Sequence, residues 1–336
     1  MLHRALPPVL LLAACTVQYA PPREPRPDEH VAHMSSADLA APPAGSSSLV
    51  RQSQGTPGIP ASNLTAGARL SASPRHAEWV KVALESGSAD SLMAWVVYPS
   101  TRDKAPVVVV VHEIFGLSTW VRGVADQLAA DGFIAIAPDF LSRVRGGPSS
   151  VELPGDSARR LIGQVNSTER NRIITAAANW AMTQPAATQK YAVIGYCWGG
   201  STTFMHAVHG GVKGFSGGVA YYGMPYTSGG RPATATEPAV PSTVAADSLA
   251  KIQVPVMLLN GSKDTRIAAA MPTIDSIMKA QGKRYTGVNY EGAIHGFLRA
   301  QDDPRAERNE AEEQANLGAA KDAWPRTIAF LRERMK

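Results

Sequence analysis

The ten residues from Tyr191 to Gly200 constrain this chain more than any other stretch. Tyr191-Ala192-Val193-Ile194 is a short apolar run that reads as a strand buried on both faces, and Gly195-Tyr196-Cys197-Trp198-Gly199 follows at once, leading into a helix. A strand that turns directly into a helix around Gly-x-Cys-x-Gly has the form of a nucleophile elbow, with cysteine where serine is commoner. The turn forces its central residue into a strained backbone, and the glycines two before and two after remove side chains that would collide. The thiol then lies at a helix N-terminus, where unsatisfied N–H groups favour the thiolate. The plainer alternative, a structural cysteine beside an ordinary turn, leaves the coincidence of strand, both glycines and helix unexplained.

The flanking sequence repeats the same beat. Trp79–Leu84 and Leu92–Tyr98 flank Ser86-Gly87-Ser88, which predicts an antiparallel hairpin at a sheet edge. Val107–Val111 and Phe133–Ala137 read as buried strands separated by a helix over Trp120–Ala130 that Gly132 ends. Helices are expected around Arg172–Met182, after Gly199, around Ala269–Ala280 and over Ala320–Arg334; further strands are expected at Gly218–Tyr222, Val254–Leu259 and Arg284–Tyr290. Such alternation predicts an α/β domain with a mostly parallel sheet covered on both faces. Thr227–Asp247, rich in Pro, Ala and Ser, is a loop placed to arch over a pocket.

A cysteine nucleophile needs a base, and the base needs an orienting carboxylate. Asp264 follows the strand Val254–Leu259, and His295 follows Tyr290 in Ala293-Ile294-His295-Gly296-Phe297, both at the carboxyl ends of parallel strands where such sites are built. Nucleophile, acid, histidine is the chain order of the α/β-hydrolase fold. His206 and His209 stand one helical turn apart, a spacing that could hold a metal, but no third ligand accompanies them, so packing or surface is the expected role.

Ahead of the domain the chain has a different character. His3 and Arg4, the apolar run Ala5–Ala14 and then Leu12-Ala13-Ala14-Cys15 read as a signal peptide over 1–14 of the bacterial lipoprotein type, with Cys15 the lipidated first residue of the mature chain. Residues 15–75 are rich in Pro, Ala, Ser and Gly without apolar periodicity, and are expected to form a disordered tether, with the folded domain spanning 76–336. A lipid-anchored place in the bacterial cell envelope follows, at the periplasmic face or outer membrane. The net charge of +5 is not gathered into a basic stripe, which argues against nucleic-acid binding. Two cysteines exclude a disulfide framework and a thiolate-rich metal site. No apolar run reaches the roughly 18 residues that a membrane-spanning helix needs.

From about residue 78 to the C-terminus the sequence resembles the dienelactone hydrolase family. The resemblance rests on His112-Glu113-Ile114-Phe115-Gly116, Ala137-Pro138-Asp139, the cysteine elbow, Ala220-Tyr221-Tyr222-Gly223, Gly261-Ser262-Lys263-Asp264 and Ile294-His295-Gly296-Phe297. It implies a Cys197, His295, Asp264 triad acting on a small ester or lactone through an acyl-enzyme, with no cofactor and no metal. It further implies that Glu113 sits beside the thiol and changes partners when substrate arrives. The oxyanion hole is expected from the backbone N–H groups of Ile114 and Trp198, their side chains being incidental. Arg299, four residues after His295, stands where a family arginine grips a substrate carboxylate, though a solvated arginine would fit that position equally well. A second such arginine is not identifiable among Arg159, Arg160, Arg170 and Arg172. Another activated ester or a thioester remains open as substrate, as does a non-catalytic envelope-binding role. A monomer is expected.

Overall fold

The computed structural model describes residues 55–149, 155–228, 243–301 and 310–336. An eight-stranded sheet organises them, with strands β1 (Ala77–Ala83), β2 (Ser91–Val97), β3 (Ala105–Val111), β4 (Ile134–Pro138), β5 (Ala187–Tyr196), β6 (Phe215–Tyr221), β9 (Val256–Gly261) and β10 (Tyr285–Tyr290). Their spatial order is β1-β2-β4-β3-β5-β6-β9-β10. The β1–β2 and β2–β4 pairs are antiparallel and every other pair is parallel, so the predicted hairpin forms one edge of an otherwise parallel α/β-hydrolase sheet.

The valine run of β3 shows why a continuous apolar strand belongs at the centre. Successive side chains point to opposite faces. Val108 and Val110 join Trp120, Val124 and Leu128 of α2 (Thr119–Ala130) and Trp324, Ile328 and Leu331 of α9 (Glu310–Arg334) in one buried cluster. Val107, Val109 and Val111 join Ile173, Ile174, Ala177 and Ala181 of α5 (Ser167–Met182) in another. Asn166, within a glycosylation-like Asn-Ser-Thr sequence, is the N-cap of α5 and accepts from the Glu169 N–H at 3.0 Å. Helices α6 (Trp198–His209) and α8 (Thr265–Ala280) follow β5 and β9 and carry the site residues on their N-terminal ends.

Two expectations are revised. Composition placed the domain boundary at residue 76, yet residues 55–75 lie against the domain as a strap. Its short helix α1 (Ala66–Ser71) buries Ala66 against Gly123 of α2, and Ile59 and Ala61 are buried as well. The Trp120 indole N–H donates to the Ala61 carbonyl at 3.0 Å, the Gln301 amide to Pro60 at 2.9 Å, and the Asn63 N–H to the Arg299 carbonyl at 2.9 Å. Because distant side chains capture its carbonyls, the strap needs no apolar period of its own. The last helix begins ten residues earlier than its sequence suggests, at Glu310 rather than Ala320.

Three short helices, α3 (Ser142–Arg145), α4 (Gly155–Ile162) and α7 (Ala246–Ala250), complete the described chain. Only the ends of the expected 227–247 loop are described: Thr227–Ser228 (β7) and Thr243–Val244 (β8) pair antiparallel, and α7 follows. The expected signal peptide, Cys15 and the rest of the tether up to residue 54 lie outside the described residues. No helix among the described residues is long and apolar enough to cross a membrane.

Candidate active site

Cys197 is the N-cap of α6, at φ 58° and ψ −115°, one of two non-glycine residues with positive φ among those described. That geometry is what the elbow demands, and the glycines around it are obligatory. A Cβ on Gly195 would strike the Gly199 carbonyl, and one on Gly199 would strike the carbonyls of Val111 and His112. The elbow is therefore pressed directly against the end of β3. The Cys197 N–H donates to the Tyr221 carbonyl at 3.0 Å, which ties the turn to β6 as well.

Asp264 ends the loop after β9 and caps α8, accepting from the Ile267 N–H at 3.3 Å through Oδ1. Its other oxygen, Oδ2, accepts from His295 Nδ1 at 2.5 Å. The Asp264 side chain is 11% exposed and that of His295 40%, so the pair stands at the surface of the cleft with its carboxylate inward. Burial alone would lower the His295 pKa. The hydrogen bond to Asp264, the one to Cys197 and the charges of both overcome it and raise the imidazolium to about 10. Asp264 and His295 thus form a hydrogen-bonded pair, and Cys197 acts on the same imidazole. Asp264 is correspondingly held below the usual carboxylate range: its own burial pushes upward, but the His295 hydrogen bond and charge prevail.

The Tyr222 ring packs 4.9 Å from that of His295, and Tyr222 carries the second positive φ, 41°. The Tyr222 and Tyr196 hydroxyls are buried and make no hydrogen bond among the described residues. Burial raises both pKa values well above the ordinary value, and the Glu113 charge adds to it. Glu113 itself is neither exposed nor unpaired. It is buried, and its Oε2 lies 3.2 Å from Arg299 Nε, whose guanidinium also sits 5.4 Å over the Phe115 ring. The solvated alternative for Arg299 is thereby set aside.

Ile114 lies just past the end of β3 and Trp198 is the first residue of α6, so both expected oxyanion donors flank the elbow. The first amides of a helix have no intrahelical partner. Around Trp198 lies a set of contacts with no counterpart in the sequence reading. Its indole stacks on His112 at 5.9 Å with 16° between planes, Phe140 meets both rings edge-on, and the Arg170 guanidinium covers the indole at 4.5 Å. His112 is fully buried, and burial lowers its pKa to about 4. Below it Asp139 accepts from the N–H of Ser149 at 2.5 Å, the Ser149 hydroxyl at 3.0 Å and the Leu141 N–H at 3.1 Å; burial raises its pKa to about 6 against those bonds. The signal for both residues lay in His112-Glu113-Ile114 and Ala137-Pro138-Asp139, whose order gives no hint of the contacts.

Of the other weighed arginines, Arg172 pairs with Glu85, Asp90 and Glu169, Arg160 touches Ser157, and the Arg159 side chain lies outside the description. His206 is used in packing: Tyr191 Oη lies 2.9 Å from Nε2 and Asn171 Oδ1 2.7 Å from Nδ1. His209 faces the Tyr226 hydroxyl at 3.3 Å. No group of three or more His, Cys, Asp or Glu among the described residues could hold a metal ion. A cavity of about 460 Å³ between the strap and α2 is lined by Arg69, Arg75 and Asp126, and none of the residues at the sulfur borders it.

The sequence profile of the dienelactone hydrolase family matches residues 92–335. A protein of Salmonella typhimurium named as a carboxymethylenebutenolidase is 28% identical over 243 residues, covering 72% of this chain and 82% of its own. One of the same name in Methylorubrum extorquens is 30% identical over 222 residues, covering 65% and 71%. Among solved structures, a protein of Klebsiella pneumoniae named as a dienelactone hydrolase superposes with a TM-score of 0.58 at 24% identity, covering 76% of this chain and 99% of its own.

Proposed function

The chain belongs to the dienelactone hydrolase family, and on that premise we propose that it hydrolyses small esters or lactones by nucleophilic attack of Cys197. One observation carries the reading: a cysteine at φ 58° on a strand-to-helix turn, in a fold that also presents a histidine whose Nδ1 meets the Asp264 carboxylate at 2.5 Å.

Asp264 holds the His295 imidazole and stabilises its protonated form against burial, so the ring is suited to take the Cys197 proton as the sulfur attacks. The thiolate attacks the ester carbonyl carbon, and the developing oxyanion accepts from the Ile114 and Trp198 N–H groups. His295 gives its proton to the leaving alkoxide, which departs as an alcohol, or as the opened hydroxyl of a lactone. Water then attacks the thioester with His295 taking its proton, and the acid is released as sulfur regains the thiolate. Asp264 holds the ring oriented throughout. Glu113 supplies the substrate response. An anionic substrate that engages Arg299 competes for the guanidinium Glu113 now holds, releasing that carboxylate toward the thiol. A small anionic ester or lactone is therefore the preferred class.

The Leu12-Ala13-Ala14-Cys15 sequence supports a lipid-anchored placement in the bacterial envelope. Cys15→Ala tests it: the variant should leave the detergent-extracted membrane fraction or stay unprocessed, and unchanged partitioning would refute the anchor.

The test of the chemistry is a panel of p-nitrophenyl esters and small lactones, one of them carboxylated and unsaturated, run with and without a thiol alkylator. Turnover should vanish on alkylation and fall by about 10³-fold or more in Cys197→Ala. Turnover that survives in Cys197→Ala would remove the thiol from the mechanism.

A further inference from the structure

The two backbone N–H groups read as the oxyanion hole, those of Ile114 and Trp198, lie on separate segments, one past β3 and one on the elbow, and something must hold their spacing. His112 touches both segments. The Phe140 N–H meets its Nε2 at 3.1 Å, and its Nδ1 lies 2.5 Å from the Glu113 carbonyl. A backbone N–H can only donate, so Nε2 accepts and the ring proton sits on Nδ1, donating to that carbonyl. The Glu113 carbonyl and the Ile114 N–H belong to one peptide group, which is planar and trans. They point in opposite directions, and pinning the oxygen fixes where the N–H aims. One face of the same ring carries the stacked indole of Trp198, the residue whose backbone N–H is read as the second donor. Phe140 closes the set edge-on, and Arg170 covers the outer face of the indole.

We propose that His112 is a positioning residue for the oxyanion hole: its Nδ1–H orients the Glu113–Ile114 peptide, and its ring, through Trp198, sets that peptide's N–H at a fixed distance from the elbow. The Trp198 side chain is then part of the device and not incidental. His112 does not touch substrate or sulfur; it acts through two amides. The proposal rests on the reading of Cys197 as nucleophile.

His112→Phe keeps a ring for the stack and removes both polar contacts. Misaiming one oxyanion donor should lower kcat by about ten- to a hundredfold and leave KM nearly unchanged. A trifluoromethyl ketone, whose thiolate adduct carries an oxyanion, should lose affinity by a similar factor. Alkylation of Cys197 by iodoacetamide displaces iodide and develops no oxyanion, so its rate should stay at the unmutated value. His112→Asn, which returns an amide N–H near the Nδ1 position, should exceed His112→Ala in kcat by about tenfold. Unchanged kcat and inhibitor affinity in folded His112→Phe would overturn the proposal, as would an equal fall in alkylation rate, which marks general collapse of the site. If His112→Phe does not fold, equal kcat in the Asn and Ala variants overturns it. Turnover in the unmutated protein that survives complete alkylation is a different result, and removes the underlying reading.

Discussion

The elbow at 195–200 and the strap at 55–75 are both rich in small residues, and they are held in opposite ways. In the elbow, smallness makes room: the Gly199 Cα sits so close to the Val111 and His112 carbonyls that no side chain fits. In the strap, smallness merely exposes backbone, and beside the bonds of its own Ser62, Thr65 and Arg69 the segment is held by Trp120 and Gln301 reaching its carbonyls across 59 and 241 positions of sequence. The matched family region starts at residue 92, so the strap precedes the part of the chain that carries the family resemblance. A motif whose constraint is local can be read from sequence, whereas a segment anchored by distant donors looks like any other Pro/Ala/Ser spacer.

The largest effect separating the two should come from Gly199→Ala. The new methyl would meet backbone on the β3 side that cannot retreat without moving the Glu113–Ile114 loop, so a loss of about 3 kcal/mol or more is expected, together with most of the activity. Circular dichroism melting and turnover on the best ester of the panel check it. A variant that melts and turns over like the parent would show that the elbow has slack and that the contrast with the strap is false.

A second effect, somewhat smaller, concerns the strap alone. A chain begun at residue 76 uncovers the buried Trp120, Gly123 and their surroundings, which a chain begun at residue 55 keeps covered. Losing that burial should cost about 3 kcal/mol, roughly 6 to 12 °C in Tm, and shift tryptophan emission to the red. Because the Asn63 N–H holds the Arg299 carbonyl, KM for a carboxylated lactone should rise more than KM for a neutral ester. Identical melting of the two chains would return residues 55–75 to the status of a passive spacer.

The same contrast explains what else was legible. The mostly parallel sheet follows from short apolar runs alternating with helices, though its strand order does not, and Cys197, Asp264 and His295 were each visible because each follows a strand within a few residues. The Glu113–Arg299 ion pair was not, since nothing local states that residues so far apart meet; their separate roles were expected but not their embrace. His112 stood in plain view beside Glu113, yet its meaning depends on a ring from the elbow landing on its face. The first turns of α9, Glu310–Leu317, are largely polar and give weak periodicity, which is why the helix begins ten residues ahead of its visible pattern.

The smallest effect would sharpen the comparison most, because it reads strain directly. A β-carbon at φ 58° and ψ −115° is disfavoured, and glycine relieves it. The strap shows no such site: its only positive φ values belong to Gly55 and Gly58. Cys197→Gly and Cys197→Ala should both lack turnover, since neither has a sulfur. The glycine variant should nevertheless be the more stable by about 1 kcal/mol, the part of the strain that its greater unfolded-state entropy does not cancel. Chemical denaturation of the two variants side by side measures it, with equal m-values as the control. If alanine is the more stable instead, the elbow backbone is relaxed with a side chain present, and the nucleophile's geometry is set by packing against β3 and β6 rather than stored as strain in residue 197.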